Sequence, residues 1–534
     1  MRKLFLIISF LLIAAIAIAS LFWINILWSY VVVGPLLFIG ISDIIQKKKA
    51  ILKNFPLVGH FRYLLETIRP EIHQYFVESN SDGVPFSREM RSLVYQRAKK
   101  QLDTLPFGTQ RNVYEDGYEW LNHSLQPTHV DPESLRVLIG GPDCKQPYSA
   151  SILNVSAMSY GALSKNAIQA LNSGAMMGGF AHNTGEGGLS QHHLKYDGDL
   201  IWQIGTGYFG ARTADGKFDA DLFKEKSGIE NVKMVEIKLS QGAKPGHGGI
   251  LPVAKITKEI AEIRNVGFDK DVISPPAHSA FSTPMEMIAF IGHLRELSGG
   301  KPIGIKMCIG KRREFLSICK AMVKSGICPD YIVIDGGEGG TGAAPLEFSN
   351  RLGAPLTEAL IFARNALVGF SLKDKVKLIS SAKIVSGFDI IKNIAIGADL
   401  CNSARAMMMA LGCIQAVQCN TNHCPTGVAT QNSSLAAGLV VSDKSKRVMS
   451  YHHETIKSVA EIIGAMGLSK ISDVRYWHRV RRTDATEIKH YGEIYEFLKD
   501  GDLLKPDLPK SFERAVKSAS PDSFSWTNGD ARIA

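Results

Sequence analysis

The chain has 534 residues, 45% hydrophobic and 21% charged, the proportions of a folded protein rather than of a disordered, collagen-like or small disulfide-stapled chain. Length alone suggests three or four domains at ~150 residues each. The formal net charge of +10 is mild and is not gathered into a long basic arm, so no nucleic-acid partner is expected.

The first element is apolar. From Leu4 to Ser42 run 39 residues without a charge. One membrane-spanning helix needs ~20 residues, so the run has room for one helix or a hairpin of two. Asn25 and Ser29 fit a tight turn near its middle, and Trp23, Trp28 and Tyr30 suit an interface. Arg2-Lys3 and Lys47-Lys48-Lys49 flank the ends, and a hairpin with both ends cytoplasmic satisfies the positive-inside rule. The expectation is a transmembrane anchor over 1–45, with the rest of the chain facing the cytoplasm. The rival is a cleaved signal peptide, with Ala17-Ile18-Ala19 as an A-x-A-like site. The eight cysteines are not spaced as a disulfide framework, which fits a reducing compartment.

Residues 46–130 read as a helical lead-in, with an amphipathic run from Arg88 to Leu102. Over 131–440, short β-type runs alternate with helical stretches. The expected strands are Ile152–Ser156, Gly179–Asn183, Met234–Leu239, Asp271–Ser274, Pro302–Met307, Tyr331–Asp335, Lys377–Ser381 and Asp399–Ser403. Expected helices include Ser164–Met177, Pro284–Leu297, Arg313–Ser325 and Asp389–Ile396. The pattern predicts an α/β fold, a (β/α)8 TIM barrel, with a doubly wound open sheet as runner-up. Residues 441–534 read as a helical C-terminal extension, with a helix over Ser450–Met466.

Six segments carry chemistry, and most follow expected strands, where barrel active sites lie. Ser156-Ala157-Met158-Ser159 offers small side chains and backbone N–H groups to a flat ring such as a flavin; the plainer reading is a turn with Ser164 as helix N-cap. Asn183-Thr184-Gly185-Glu186-Gly187-Gly188 exposes a carboxylate between glycines, though such a loop is also a common turn. Lys238, Gln241 and Lys244, on a glycine-rich loop running to Pro252, suit an anionic, carboxylate-bearing substrate. Asp335 opens a run holding Gly336, Gly337, Gly339 and Gly340, a plausible anion nest without dinucleotide spacing. Ser381, Gly387, Ser403, Ala404 and Arg405, with Lys383, lie after the last two strands, where barrel phosphate sites form. Cys413, Cys419 and Cys424, followed by Pro425, depart from paired C-x-x-C zinc spacing and are closer to iron–sulfur ligation, with three buried free thiols as the alternative. His423 reads as a neighbour rather than a ligand.

Together these segments resemble the synthase domain of glutamate synthase over about residues 130–440. The matching strings are 156–164, 183–188, Gln-Gly-Ala-Lys-Pro-Gly-x-Gly-Gly-x-Leu-Pro at 241–252, Ser-Pro-Pro at 274–276, Gly-Gly-Thr-Gly-Ala-x-Pro at 339–345, and the cysteines through Cys424-Pro-x-Gly-Val-Ala-Thr-Gln431. The resemblance implies FMN in a TIM barrel, with Lys306 at the flavin N1/O2 edge, and a [3Fe–4S] cluster on Cys413, Cys419 and Cys424. It implies an oxidoreductase acting on CH–NH2 donors, in which Lys238, Gln241 and Lys244 grip 2-oxoglutarate and Glu186 meets the incoming ammonia. Lys244 and Glu186 would then serve as catalytic groups, and reduced FMN would supply a hydride to give L-glutamate.

The chain also departs from the family. Its first cysteine is Cys144, so ammonia is expected from solution or a separate subunit, and electrons from a separate donor protein. His247 stands where the family usually has an acid, and Asp335-Gly336-Gly337-Glu338 replaces Ser-Gly-His-Asp. These changes motivate a second reading: the same redox core on a different keto, imino or amino acid, or passing electrons to a membrane partner. A non-enzymatic scaffold is a third.

Overall fold

A computed structural model describes residues 1–525; positions 526–534 of the expected C-terminal extension lie outside the described residues. The chain forms two units, Met1–Arg88 and Glu89 onward.

In the first unit, α1 (Arg2–Ser20) and α2 (Tyr30–Ile45) are joined by a 3-10 turn at Ile24–Ser29, where the sequence places the break. Ser29 Oγ donates to Ile26 O at 2.6 Å. Phe5 of α1 lies on Gly40 of α2, where a Cβ would meet the phenyl ring at 2.1 Å. The spans Arg2–Ser20 and Ile24–Ile45 are long and apolar enough to cross a membrane. A short helix at Ala50–Asn54 leads into α3 (Gly59–Ile72).

In the second unit, eight parallel strands close into a barrel in sequence order. They are β1 (Leu153–Val155), β2 (His182–Asn183), β3 (Leu200–Ile204), β4 (Val232–Lys238), β5 (Ile303–Met307), β6 (Tyr331–Asp335), β7 (Lys377–Ser381) and β8 (Leu400–Ser403). The TIM barrel expectation holds, and the open sheet is excluded by closure of β8 onto β1. Two strand assignments change. The third barrel strand is Leu200–Ile204, buried at every position. Asp271–Ser274 is not in the barrel: Val272–Ile273 pairs antiparallel with Ile250–Leu251, a hairpin too short to span it. The second strand is shorter than expected because Gly179, at φ +64°, is the left-handed cap of α4 (Lys165–Gly178). Ser164 is the N-cap of α4, accepting from the Ala167 N–H at 3.2 Å.

The barrel interior is partly polar. Asn183 Nδ2 and Gln203 Nε2 both donate to Glu236 Oε1, at 3.0 and 2.5 Å. These bonds offset the cost of burying the carboxyl, whose pKa burial pushes up. Outside the barrel, α5 (Leu356–Gly369) follows β6, α6 (Gly387–Ala395) follows β7, and the long α7 (Val441–Ala465) starts nine residues earlier than expected.

Candidate functional site

The C-terminal ends of the strands bring most of the singled-out residues together. Lys238, the last residue of β4, donates from Nζ to Glu186 Oε1 at 2.7 Å and to Gln241 Oε1 at 3.0 Å. Gln241 Nε2 donates onward to Gly340 O at 2.5 Å, linking the loop after β4 to the glycine run after β6. Burial pushes the Glu186 carboxyl up, but Lys238, Lys244 and Arg264 outweigh it and bring its pKa down to about 2. Burial lowers the Lys244 pKa, Glu186 opposing and Lys238 assisting. The cluster is therefore a fixed anion among three cations, one of which gives up its proton more readily than an exposed lysine.

Asp335 joins this cluster to Lys306. Its Oδ2 accepts the Gly242 N–H at 2.8 Å and lies 3.6 Å from Lys306 Nζ. Both side chains are buried. The close approach requires glycine: a Cβ on Gly242 would stand 1.8 Å from Gly336 O. Gly242→Ala is expected to unseat the loop after β4, lowering stability by ~1–3 kcal/mol as overpacking does; denaturant unfolding checks this, and an unchanged midpoint would show that the loop shifts without cost. Likewise Gly185, at φ +67°, brings the Glu186 loop against the first loop, its Cβ position 2.6 Å from the Ser159 N.

The residues expected around a flavin form a continuous rim. The Ser156 N–H donates to Ser403 O and the Gly336 N–H to Ser381 O, both at 3.0 Å, while Ser156 and Ser381 hydroxyls stand 3.3 Å apart. Ala157, Met158 and Ser159 continue from Ser156. Gly337 and Gly339 donate to Ala354 O and Gly336 O, each at 2.8 Å. Ser403 Oγ donates to Ile384 O at 2.7 Å, and Ala404 caps the short helix Arg405–Leu411. Arg405 Nη2 donates to Glu338 O at 2.8 Å. Lys383 and Arg405 converge: burial lowers both pKa values, and Arg405 lowers that of Lys383 further. Glu338 opposes the shift at both and Asp335 at Arg405; two part-buried cations at the ends of β7 and β8 fit a dianionic phosphate. Gly387 has a different duty, since a Cβ there would meet Ser458 Oγ of α7 at 2.9 Å. The Glu338 carboxylate accepts the Leu356 N–H at 3.0 Å and so serves as a cap at the start of α5.

The cysteine segment docks onto the first loop. Ser164 Oγ donates to Gly427 O at 2.7 Å, Gln431 Nε2 to Leu163 O at 2.7 Å, and Lys255 Nζ to both Ala162 O and Ala429 O at 2.9 Å. Among the described residues, no three His, Cys, Asp or Glu side chains are grouped as ligands of one metal ion. The three thiols nevertheless feel one another's charge, and a sulfide-bridged cluster holds its thiolates further apart than a single ion does. Burial pushes the Cys413 pKa up to about 11. For Cys424, burial is outweighed by the Thr426 hydroxyl and the N–H groups of Ala429, Thr426 and Val428, which bring its pKa down. A set of three cysteines, one of them with hydrogen-bond donors that favour its thiolate, fits an iron–sulfur cluster.

Arg264, Asp335 and Lys255 join the site without a sequence signal for it. Asp335 opens a motif whose visible feature is its glycines. Lys255 lies three residues past Pro252, and Arg264 ends a short surface-type helix, Lys258–Arg264; neither has a motif of its own.

Comparison with known proteins follows the same segments. A family described as conserved region in glutamate synthase matches residues 128–469. The chain is 36% identical over 502 residues to the glutamate synthase large subunit-like protein YerD of Bacillus subtilis, covering 86% of this chain and 95% of that one. It is 34% identical to the archaeal-type glutamate synthase [NADPH] of Thermotoga neapolitana, over 60% of each chain. A ferredoxin-dependent glutamate synthase of Antithamnion sp. is 29% identical over 79% of this chain and 27% of its own length. Among solved structures, the flavin-binding domain of baker's yeast flavocytochrome b2 aligns at 12% identity and TM-score 0.42, over 86% of this chain and 94% of that one.

Proposed function

The chain belongs to the glutamate synthase family, oxidoreductases acting on CH–NH2 donors, and on that premise we propose that it binds FMN and a [3Fe–4S] cluster and forms L-glutamate from 2-oxoglutarate and ammonia. The observation that carries the reading is the cluster of Lys238, Gln241, Lys244 and Glu186 at one end of the barrel. The Lys238 and Lys244 ammonium groups and the Gln241 amide would bind the two carboxylates. Glu186, held as an anion, would accept an N–H of ammonia and keep that nitrogen beside the keto carbon. Lys244 Nζ, its pKa lowered by burial, would pass a proton to the carbonyl oxygen as it leaves as water. When bound, FMN supplies the hydride and the cluster supplies single electrons.

Ser156, Ala157, Met158, Ser159 and the glycines 336, 337, 339 and 340 would line the flavin, with Lys306 at its N1/O2 edge. Ser381, Ser403, Ala404, Arg405 and Lys383 would hold its phosphate, with Gly387 keeping α6 close. Cys413, Cys419 and Cys424 would ligate the cluster. We take α1 and α2 as a membrane anchor with the barrel on the cytoplasmic side, supported by their length, apolarity and flanking lysines. A separate donor protein would supply electrons, and a separate subunit or solution the ammonia.

The test is to reduce the purified protein anaerobically and add 2-oxoglutarate with ammonium chloride. Reoxidation of the flavin with formation of glutamate is expected, and slower reoxidation with pyruvate or oxaloacetate. No reoxidation by any keto acid, with rapid reoxidation by a quinone, would overturn the reading in favour of electron transfer to a membrane partner, which the two membrane-length helices motivate. Lys244→Ala is expected to raise KM for the keto acid while flavin content stays near wild type; loss of both in parallel would mark a structural role.

A further inference from the structure

The segment after the second apolar helix has a surface that the anchor leaves unused. On α3, Phe61, Leu64, Leu65, Ile68 and Ile72 fall at i, i+3, i+4, i+7 and i+11, a single helical stripe. All are exposed, from 38% at Ile72 to 67% at Phe61. Tyr75 and Phe76, 52% and 85% exposed, extend the stripe into the next turn. Arg62 and Arg69 border it on one side, and Arg62 pairs with Glu66 at 2.7 Å.

The start of α3 is tied to the end of α2. Asp43, in the last turns of α2, accepts the Leu57 N–H at 3.0 Å and bonds His60 Nε2 at 2.9 Å. Lys49, from the basic run between them, lies with its ammonium 4.5 Å over the Tyr63 ring. Wherever the end of α2 comes to rest, α3 therefore begins at the same level. The stretch 46–77 carries six Lys or Arg against two Asp or Glu, a balance suited to an anionic surface.

We propose that α3 lies flat in the surface of the membrane that α1 and α2 enter, with its Phe61–Leu65–Ile68–Ile72 stripe sunk among the acyl chains of anionic lipid. The inference rests on reading α1 and α2 as membrane spans. Exposed apolar residues on one face with arginine at its border are the pattern of interfacial helices. The tie through Asp43 and His60 supplies the depth that the pattern alone lacks. A second copy of this chain covering the stripe would bring the lysines and arginines of both copies together, which disfavours it.

The experiment uses the full-length protein in vesicles of phosphatidylethanolamine and phosphatidylglycerol, with benzoylphenylalanine placed singly at Leu65, Ile68 or Glu66. Ile13 and Phe38 serve as positions within the two apolar helices. On irradiation, Leu65 and Ile68 are expected to form lipid adducts as Ile13 and Phe38 do, and Glu66 to form none. Lipid adducts at Ile13 and Phe38 with only protein adducts, or none, at both Leu65 and Ile68 would overturn the placement of α3 and leave the anchor standing. Failure to reach lipid at Ile13 and Phe38 would overturn the anchor reading, and this inference with it.

Discussion

Glu186→Gln is expected to remove activity and destabilise the protein together. The carboxylate bonds Lys238 Nζ at 2.7 Å and is flanked by Lys244 and Arg264. Without it, three cations face one another in a site where the Lys238 side chain is only 10% exposed. Removing one partner of a buried pair costs ~3–5 kcal/mol, and the partial exposure of Glu186 places this case toward the lower end. Flavin reoxidation by 2-oxoglutarate and ammonia should slow by ~10²–10³-fold, as for loss of one preorganised hydrogen-bonding group. Adding Lys238→Met to Glu186→Gln should restore most of the stability and none of the activity. Denaturant unfolding of the two single variants and the double variant measures the coupling. Additive losses in the double variant would show that the two groups do not act as a pair. The pH dependence has a definite sign. Because the folded-state pKa of Glu186 is depressed to about 2, its contribution is fully present above the unfolded carboxyl value of ~4.3. It is lost as pH falls through the folded value, so wild type and Glu186→Gln should converge in stability under strong acid.

Cys419→Ala is expected to abolish iron incorporation while the barrel still folds and takes up flavin. The loop has contacts of its own that fix its position whether or not a cluster is bound. Ser164, Gln431 and Lys255 bond it to the first loop. Asn422, at φ +67°, accepts the Gln431 N–H at 2.7 Å and donates to Ala254 O at 2.8 Å. Iron and sulfide assays, with the visible spectrum, read the result: iron near background and a flavin spectrum without its broad shoulder. Unchanged iron would remove Cys419 from the ligand set.

Much of the fold was legible because the strands that matter end in unusual loops. Met234–Leu239, Tyr331–Asp335 and Lys377–Ser381 lead into Lys238, the glycine run and Ser381, so a short apolar run and a functional motif reinforced each other. Leu200–Ile204 has the apolar run but no singled-out motif after it. It is buried on both faces, and a parallel strand of that kind reads as a continuous apolar run without alternation. Val272–Ile273 misled for the opposite reason: two β-branched residues before Ser-Pro-Pro look like a strand, and they form one, but with Ile250–Leu251.

In the site, Lys238, Gln241 and Glu186 were legible from motifs and are joined by hydrogen bonds. Arg264 reaches the cluster from a helix whose local pattern says only that it packs. The role of Glu338 could not be read from sequence, because its partner, the Leu356 N–H, is 18 residues away.

The way the loop after β4 is seated has a consequence for how this enzyme can be altered. At two glycines it meets neighbouring loops main chain to main chain: a Cβ at Gly242 or at Gly248 would stand 1.8 Å from the carbonyl oxygen of Gly336 or of Ser274. Repacking side chains cannot relieve a collision between backbones. The His247 ring, between those two glycines, contacts Phe348 edge-on and bonds the Gly248 carbonyl, while the His247 backbone N–H donates to Lys244 O at 3.3 Å. A saturation library across 241–249 should therefore divide sharply, refusing even alanine at the two glycines while accepting most residues at His247. Selection for altered binding would find freedom at His247, inside a frame pinned at Gly242 and Gly248.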